Sequence, residues 1–171
     1  INPFLRHEFL SNLESSGCVC AETGWEPRHI LIWRGASLVG AMPLYLKHHS
    51  YGEYIFDWAW ADAYHRHGLN YYPKLSSAIP FTPVSGARLL SDDASICAML
   101  TSAALTLAKE TQVSSLHILY PTGIQAESLK SAGFMLRNST QFHWHNRSYD
   151  TFDTFLAEMS HDKRKRIKQE R

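Results

Sequence analysis

The strongest constraint on the fold is one well-marked helix with a short apolar strand on each side. Ser91-Asp92-Asp93 offers capping side chains, and Ile96, Met99, Leu100, Ala103, Ala104 and Leu107 then form one apolar stripe at helical spacing. Upstream, Leu75–Pro83 reads as a strand broken by Pro80 and Pro83, and a proline inside a strand marks an edge or a bulge. Downstream, Ser115–Tyr120 holds the buried run LHILY, ended by Pro121. Further on, Gln125–Ala132 reads as a helix stopped by Gly133, and Phe134–Trp144 as a strand.

Asn2-Pro3 starts an N-terminal helix, Leu5, Phe9 and Leu13 give its apolar face, and Gly17 stops it. His29–Trp33 and Leu38–Leu46 flank Arg34-Gly35-Ala36-Ser37 as a hairpin. A hairpin that feeds strand–helix–strand–helix–strand implies an α/β fold with one mixed sheet and helices on both faces. The 171 residues suffice for one domain with a sizeable core, and 44% hydrophobic and 19% charged content is ordinary for a globular protein. Net charge is +1, which argues against nucleic acid or membrane as partner of the whole surface. Basic residues gather at the end, however: Lys163, Arg164, Lys165, Arg166, Lys168 and Arg171, against Asp162 and Glu170. Residues 163–171 therefore read either as a solvated linker helix or as an RNA contact. Cys18, Cys20 and Cys97 make no disulfide framework or metal spacing, so a reducing, cytoplasmic setting is expected. No apolar run approaches the roughly 18 residues of a membrane span. Ile1 and the terminal charge run make both ends look cut from a longer protein.

The chemistry concentrates in Tyr51–Pro83, where Glu53, Asp57 and Asp62 stand among aromatic residues. Trp58 and Trp60 alternate with Ala59 and Ala61, a period-2 pattern that places both indoles on one strand face. Aromatic walls with a few polar groups are the usual lining of a small-molecule cleft. A carboxylate half-buried among indoles has its pKa pushed toward neutrality, so Asp57, Asp62 and Glu53 are candidate bases, with turn-capping as the alternative for each. Tyr64 is a candidate proton donor. Trp58, Trp60, Tyr71, Tyr72, Lys74, Thr82 and the strand pair His143/His145 make up the substrate-facing set. The histidines lie in separate places with no completing ligand, so no metal site is expected.

The element order resembles the GNAT acyl-CoA N-acyltransferase fold. The segments NPFLRHEFL, GWEPRHILIW, LVGAMPLYLK, HSYGEYIFDWAWADAY, YYPKL, PFTPVSGARLL, FHWHN and RKRIKQER are similar to those of the FemAB-like branch of that superfamily, labelled peptidoglycan biosynthesis or recognition. The resemblance implies a GNAT-like domain over residues 1–147 and a basic connecting helix over 148–171, leading toward a second GNAT-like half. It implies transfer of an acyl or aminoacyl group to an amine, from acyl-CoA or aminoacyl-tRNA, with a peptidoglycan precursor or other small molecule as acceptor. In the GNAT pattern a phosphate loop precedes the long helix. Here Ser85, Gly86 and Arg88 stand nearest that role, but the Asp92-Asp93 cap repels a pyrophosphate. That departure favours an alternative, a non-catalytic half-domain that positions RNA, a peptidoglycan precursor or the second half. The aromatic-acidic stretch favours the enzyme.

Overall fold

The computed structural model describes residues 2–170. Two compact units divide the chain, Ile1–Arg137 and Asn138–Arg171.

In the first unit, Asn2 accepts from the Phe4 N–H and opens a 3-10 turn, Pro3–Leu5. Arg6 is extended, and α1 follows as His7–Ser15, so the expected single helix is two pieces. Strands β1 (Trp25–Pro27), β4 (Tyr45–Lys47), β5 (Lys74–Ser77) and β6 (Leu116–Ile118) form one sheet in the order β1-β4-β5-β6. The first two pairings are antiparallel and β5–β6 is parallel, with helix α3 (Ala94–Glu110) as the crossover. The sheet is mixed, and the two strands expected around α3 are neighbours. The hairpin forms as β2 (Ile30–Arg34) and β3 (Ser37–Met42), but as a separate two-stranded sheet. Pro43 has no N–H to continue the β3 ladder, and the chain turns there into β4. Met42 and Leu44 on either side are both fully buried.

Asp93 caps α3 by accepting from the Ser95 N–H at 2.8 Å. Ile96, Leu100 and Ala104 join Met42, Leu44, Leu75, Leu89 and Leu129 in the larger core, whereas Met99 of the expected stripe is 53% exposed. Met99 lies outside the arc that meets the hairpin and β6. Leu129 belongs to helix α4 (Gly123–Ser131), capped by Thr122 and ended at Gly133 with φ +93°. A second cluster, Val19, Trp25, Tyr45, Ala78 and Leu119, packs with Leu13 of α1 on the other side of the sheet.

Two expected strands are absent. Trp58–Arg66 is a helix, α2, because Ala59, Ala61 and Ala63 are strong helix formers and the period-2 pattern carries no strand partner. Phe134–Trp144 forms no strand either. Phe134 packs against the larger core, but Met135 is 91% exposed, and an unpaired strand has no ladder to hold it.

The second unit holds α5 (Phe152–Ala157), with a Thr151/Thr154 capping box, and α6 (His161–Glu170). Thr151 is the cap of α5, and the connecting helix expected over 148–171 is two helices. Trp144, Tyr149 and Phe155 form an aromatic group, and Arg147 pairs with Glu158 at 3.3 Å.

Candidate functional site

Strand alternation gives the four-stranded sheet two different faces. Leu46, Leu75, Leu116 and Ile118 meet the larger core. On the opposite face the register places Trp25 beside Lys47 and Lys47 beside Lys74, then Tyr45 beside Ser76 and Ser76 beside His117. Lys47, Lys74 and Ser76 are each 0% exposed. Two lysines directly opposite one another on neighbouring strands repel, so this face needs carboxylates. The segment between β4 and β5 supplies them as Glu53 and Asp57, both buried.

Lys74 takes both. Its Nζ donates to Asp57 Oδ2 at 2.6 Å, to Glu53 Oε2 at 2.7 Å and to Ser50 Oγ at 2.8 Å, so all three N–H donors are used. Tyr71 OH donates to the same Asp57 oxygen at 2.6 Å, and Ser50 shares a hydrogen bond with Tyr72 OH at 2.8 Å. His117 Nε2 lies 3.5 Å from Tyr71 OH and 2.9 Å from Ser115 Oγ. The second oxygens, Glu53 Oε1 and Asp57 Oδ1, are buried and accept no hydrogen bond, and Tyr45 OH, Ser76 Oγ and Trp25 Nε1 in this face are likewise unpartnered.

Lys47 has no such carboxylate. Its Nζ sits 3.4 Å from the centre of the Trp25 ring and donates to the Tyr51 carbonyl at 3.4 Å. A desolvated cation–π contact is worth about 2 kcal/mol, less than the several kcal/mol that burying an unpaired ammonium costs. Burial therefore wins, and with Lys74's charge it outweighs Glu53's attraction and pulls Lys47 down to about 7. Burial pushes Glu53 up against the pull of Lys74. Burial also pushes Asp57 up, but the Lys74 ammonium and the Ser50 and Tyr71 hydroxyls outweigh it and hold Asp57 at about 2. Burial and Lys74's charge bring His117 down to about 4. Burial and the Asp57 carboxylate raise Tyr71.

The structure thus joins Glu53, Asp57, Tyr71, Tyr72 and Lys74, with Tyr64 edge-on to Tyr71 at 5.2 Å between ring centres. Asp57 precedes α2, yet its side chain makes no capping bond, which removes the turn-capping alternative. Asp62 is not part of this group: one helical turn along α2 it pairs with Arg66, half exposed. Trp58 and Trp60 do not share a face, since a helix sets them about 200° apart; Trp58 instead leans on Tyr51. The two candidate bases Asp57 and Asp62 therefore do not converge on one site. Lys74, expected among the substrate-facing residues, has no donor left for a ligand.

Thr82 bonds back to the Pro80 carbonyl at 3.0 Å. Arg88 is fully buried, donating to the Val84 and Ala87 carbonyls, and Gly86 N–H donates to the Tyr120 carbonyl. The Ser85 carbonyl accepts from Asn2. The Gly86 N–H, the Arg88 N–H and the Arg88 guanidinium are thus spent on acceptors of the chain itself, and Asp93 occupies the α3 N-terminus. In the second unit, His143 and His145 stack at 6.3 Å beside Arg147, Tyr149 and Glu158. No group of three metal-ligating side chains converges among the described residues.

Lys47, Ser50, Ser76 and His117 were not among the residues singled out from sequence. Their signal is that Tyr45-Leu46-Lys47 and Lys74-Leu75-Ser76 are both alternating strands whose polar side turns inward. Above this face the segment after Ser50 exposes Tyr51, Tyr54 and Phe56, with Tyr54 and Phe56 at left-handed φ of 60° and 48°. Bulky residues seldom adopt that conformation.

A family model described as FemAB_like, peptidoglycan biosynthesis/recognition, matches residues 1–171. No curated protein and no solved structure matches the chain. No helix among the described residues is long and apolar enough to cross a membrane.

Proposed function

The chain belongs to the FemAB-like family of peptidoglycan biosynthesis/recognition, and from that premise we propose that it transfers an acyl or aminoacyl group to an amine. The observation that carries the proposal is the buried Glu53–Lys74–Asp57 group, in which each carboxylate keeps one oxygen free of any partner. An ammonium is the ligand that a free, ionised carboxylate oxygen such as Asp57 Oδ1 fits. Asp57, held at about 2, is a poor proton acceptor and a good anchor, so its role is to bind the acceptor ammonium. Once that ammonium has lost a proton, the nitrogen attacks the acyl carbonyl carbon and a C–N bond forms. The C–S bond of an acyl-CoA or the C–O bond of an aminoacyl-tRNA breaks, and the departing sulfur or oxygen takes a proton. Admission of the acceptor requires the Tyr51–Asp57 segment to lift, and its strained φ angles favour movement. The parallel β5–β6 pair joined through α3 supports a GNAT-like arrangement.

Thiol release from a panel of acyl-CoAs, and deacylation of aminoacyl-tRNA, each with peptidoglycan-precursor peptides as acceptor, tests the reading. Asp57→Asn should raise KM for the amine about 10–100-fold, the value of one charged hydrogen bond. Absence of transfer with every donor, or an unchanged KM, would overturn it.

A second reading, a non-catalytic domain that contacts RNA, is favoured by α6, where Lys163, Lys165, Arg166 and Lys168 are exposed along one short helix.

A further inference from the structure

Four ionisable groups close off one layer beneath the Tyr51–Asp57 segment, and the function proposed above uses only one of them directly. Lys74 and Asp57 form a contact pair at 2.6 Å and balance each other's charge. That leaves Lys47 and Glu53, which balance in two ways: both ionised or both neutral. Lys47 is fully buried, Glu53 is 2% exposed, and no ion pair joins them. Water hydrates neither charge and no contact between them offsets that loss, so the neutral form is favoured. Glu53 retains its bond from Lys74 in either form, and a neutral Lys47 amine still donates to the Tyr51 carbonyl. The groups facing Lys47 from each neighbouring element are consistent with this. β1 offers an indole, Trp25, and β5 another cation, Lys74, while His49 and Glu53 come from the chain that follows β4. Burial moves Lys47 down and Glu53 up, each toward its neutral form.

We propose that Lys47 and Glu53 rest as a neutral acid–base pair, Glu53 holding the proton and Lys47 the lone pair, and that Lys47 is the proton acceptor of this site. The acceptor ammonium anchored by Asp57 gives one proton to the Lys47 amine, which becomes an ammonium, and the released amine is the nucleophile. Glu53 carries the proton available to the leaving group. This use in acyl transfer rests on the function proposed above; the protonation state does not.

The test is an NMR titration of the chain labelled with 15N-lysine and 13C-glutamate. One lysine Nζ should titrate near pH 7, roughly three units below the ordinary ~10.4, and be missing in Lys47→Met. One glutamate carboxyl should titrate above the ordinary ~4.3 and be missing in Glu53→Gln. Assignment through bonds to the Lys47 and Glu53 backbones keeps the test valid for a variant that does not fold. The pair is overturned when every lysine stays ammonium past about pH 9, or when Glu53 ionises at a lower pH than the one at which Lys47 loses its proton. Transfer rates against pH form the second arm: Lys47→Arg, which cannot accept the proton, should lower kcat about 10²–10⁴-fold. Wild-type kcat in that variant overturns the catalytic role. A wild-type chain that shows the neutral pair but transfers no acyl group upholds the pair and defeats the function.

Discussion

Replacing Lys74 by Met keeps the stem and removes the ammonium, so it tests the charge arithmetic of the buried layer with little loss of packing. In the native chain Lys74 gives Asp57 and Glu53 one hydrogen bond each, at 2.6 and 2.7 Å, and all three side chains are closed to water. Removing one partner of a buried pair costs about 3–5 kcal/mol. Protonation sets a ceiling. Neutralising a carboxyl of ordinary pKa ~3.9 at pH 7 costs about 4 kcal/mol, so Asp57 takes a proton rather than stay charged beyond that. The loss should therefore fall between about 3 and 4 kcal/mol at pH 7, a large part of the 5–15 kcal/mol typical of a whole domain. The sign with pH follows. Native Asp57, lowered to about 2, contributes stability that is present above ~4 and is lost as pH falls toward 2. In Lys74→Met the same carboxyl has a raised folded pKa, so its penalty is full at neutral pH and fades as pH falls. Urea unfolding followed by far-UV circular dichroism at pH 7 and pH 4.5 measures both points. Adding Asp57→Asn to Lys74→Met should restore part of the stability. A loss below about 1 kcal/mol at pH 7, or one independent of pH, would refute a compulsory cation between these carboxylates.

His117, brought down to about 4 from an ordinary ~6.5, contributes stability present above ~6.5 and lost as pH falls to 4. Urea midpoints of wild type should decline across that window, and His117→Asn should remove the decline. Gly40 on β3 faces α3 so closely that a Cβ would lie 2.3 Å from Ile96 Cγ2. Gly40→Ala should cost about 1–3 kcal/mol by overpacking, and Ile96→Ala should relieve part of it in a double-mutant cycle. If α6 contacts RNA, log affinity should fall with log salt by about 0.7–0.9 for each phosphate contact. Alanine at Arg164 and Arg166 together should flatten that slope, and an unchanged slope leaves α6 a solvated helix.

The parts of the fold legible in the sequence are those with redundant local signals. Asp93 as cap plus a helical stripe marks α3, and Arg34-Gly35 between two apolar runs marks the hairpin. Where signals conflict, local reading fails. Trp58-Ala59-Trp60-Ala61 has strand periodicity but alanine-rich helix propensity, and with no partner strand propensity decides. Phe134–Trp144 has strand composition without a ladder to join. Of the site, Asp57, Tyr71 and Tyr72 were legible because carboxylates among aromatics are rare in plain core. Asp62 carries the same local signal, and only its position one helical turn further on, facing Arg66, separates the two. Lys47 was hidden for a simpler reason. A lysine at the end of an apolar strand ordinarily reaches water, and nothing local says that residues 51–57 fold back over it.

The two faces of the sheet argue that the buried layer serves something other than cohesion. On three adjacent strands the chain places Leu46, Leu75, Leu116 and Ile118 on one side and Lys47, Lys74, Ser76 and His117 on the other. Apolar residues of similar volume in a buried ion layer are commonly neutral or stabilising by about 1–4 kcal/mol. The same strands already carry such residues one position away, so an apolar layer was open to this sequence. Ion pairs at the surface offer no parallel, because they cost little and contribute little. Five polar atoms of this layer, Glu53 Oε1, Asp57 Oδ1, Tyr45 OH, Ser76 Oγ and Trp25 Nε1, are unpartnered, and each such atom costs about 1–3 kcal/mol. A layer built only to fix the covering segment would satisfy its own hydrogen bonds, as Lys74 does. Trp25, Tyr45 and Ser76 belong to one face of the sheet, and the chain that carries left-handed tyrosine and phenylalanine supplies Glu53 and Asp57. A site that opens, takes up an ammonium and closes over it accounts for the charge, the free oxygens and the strained cover together.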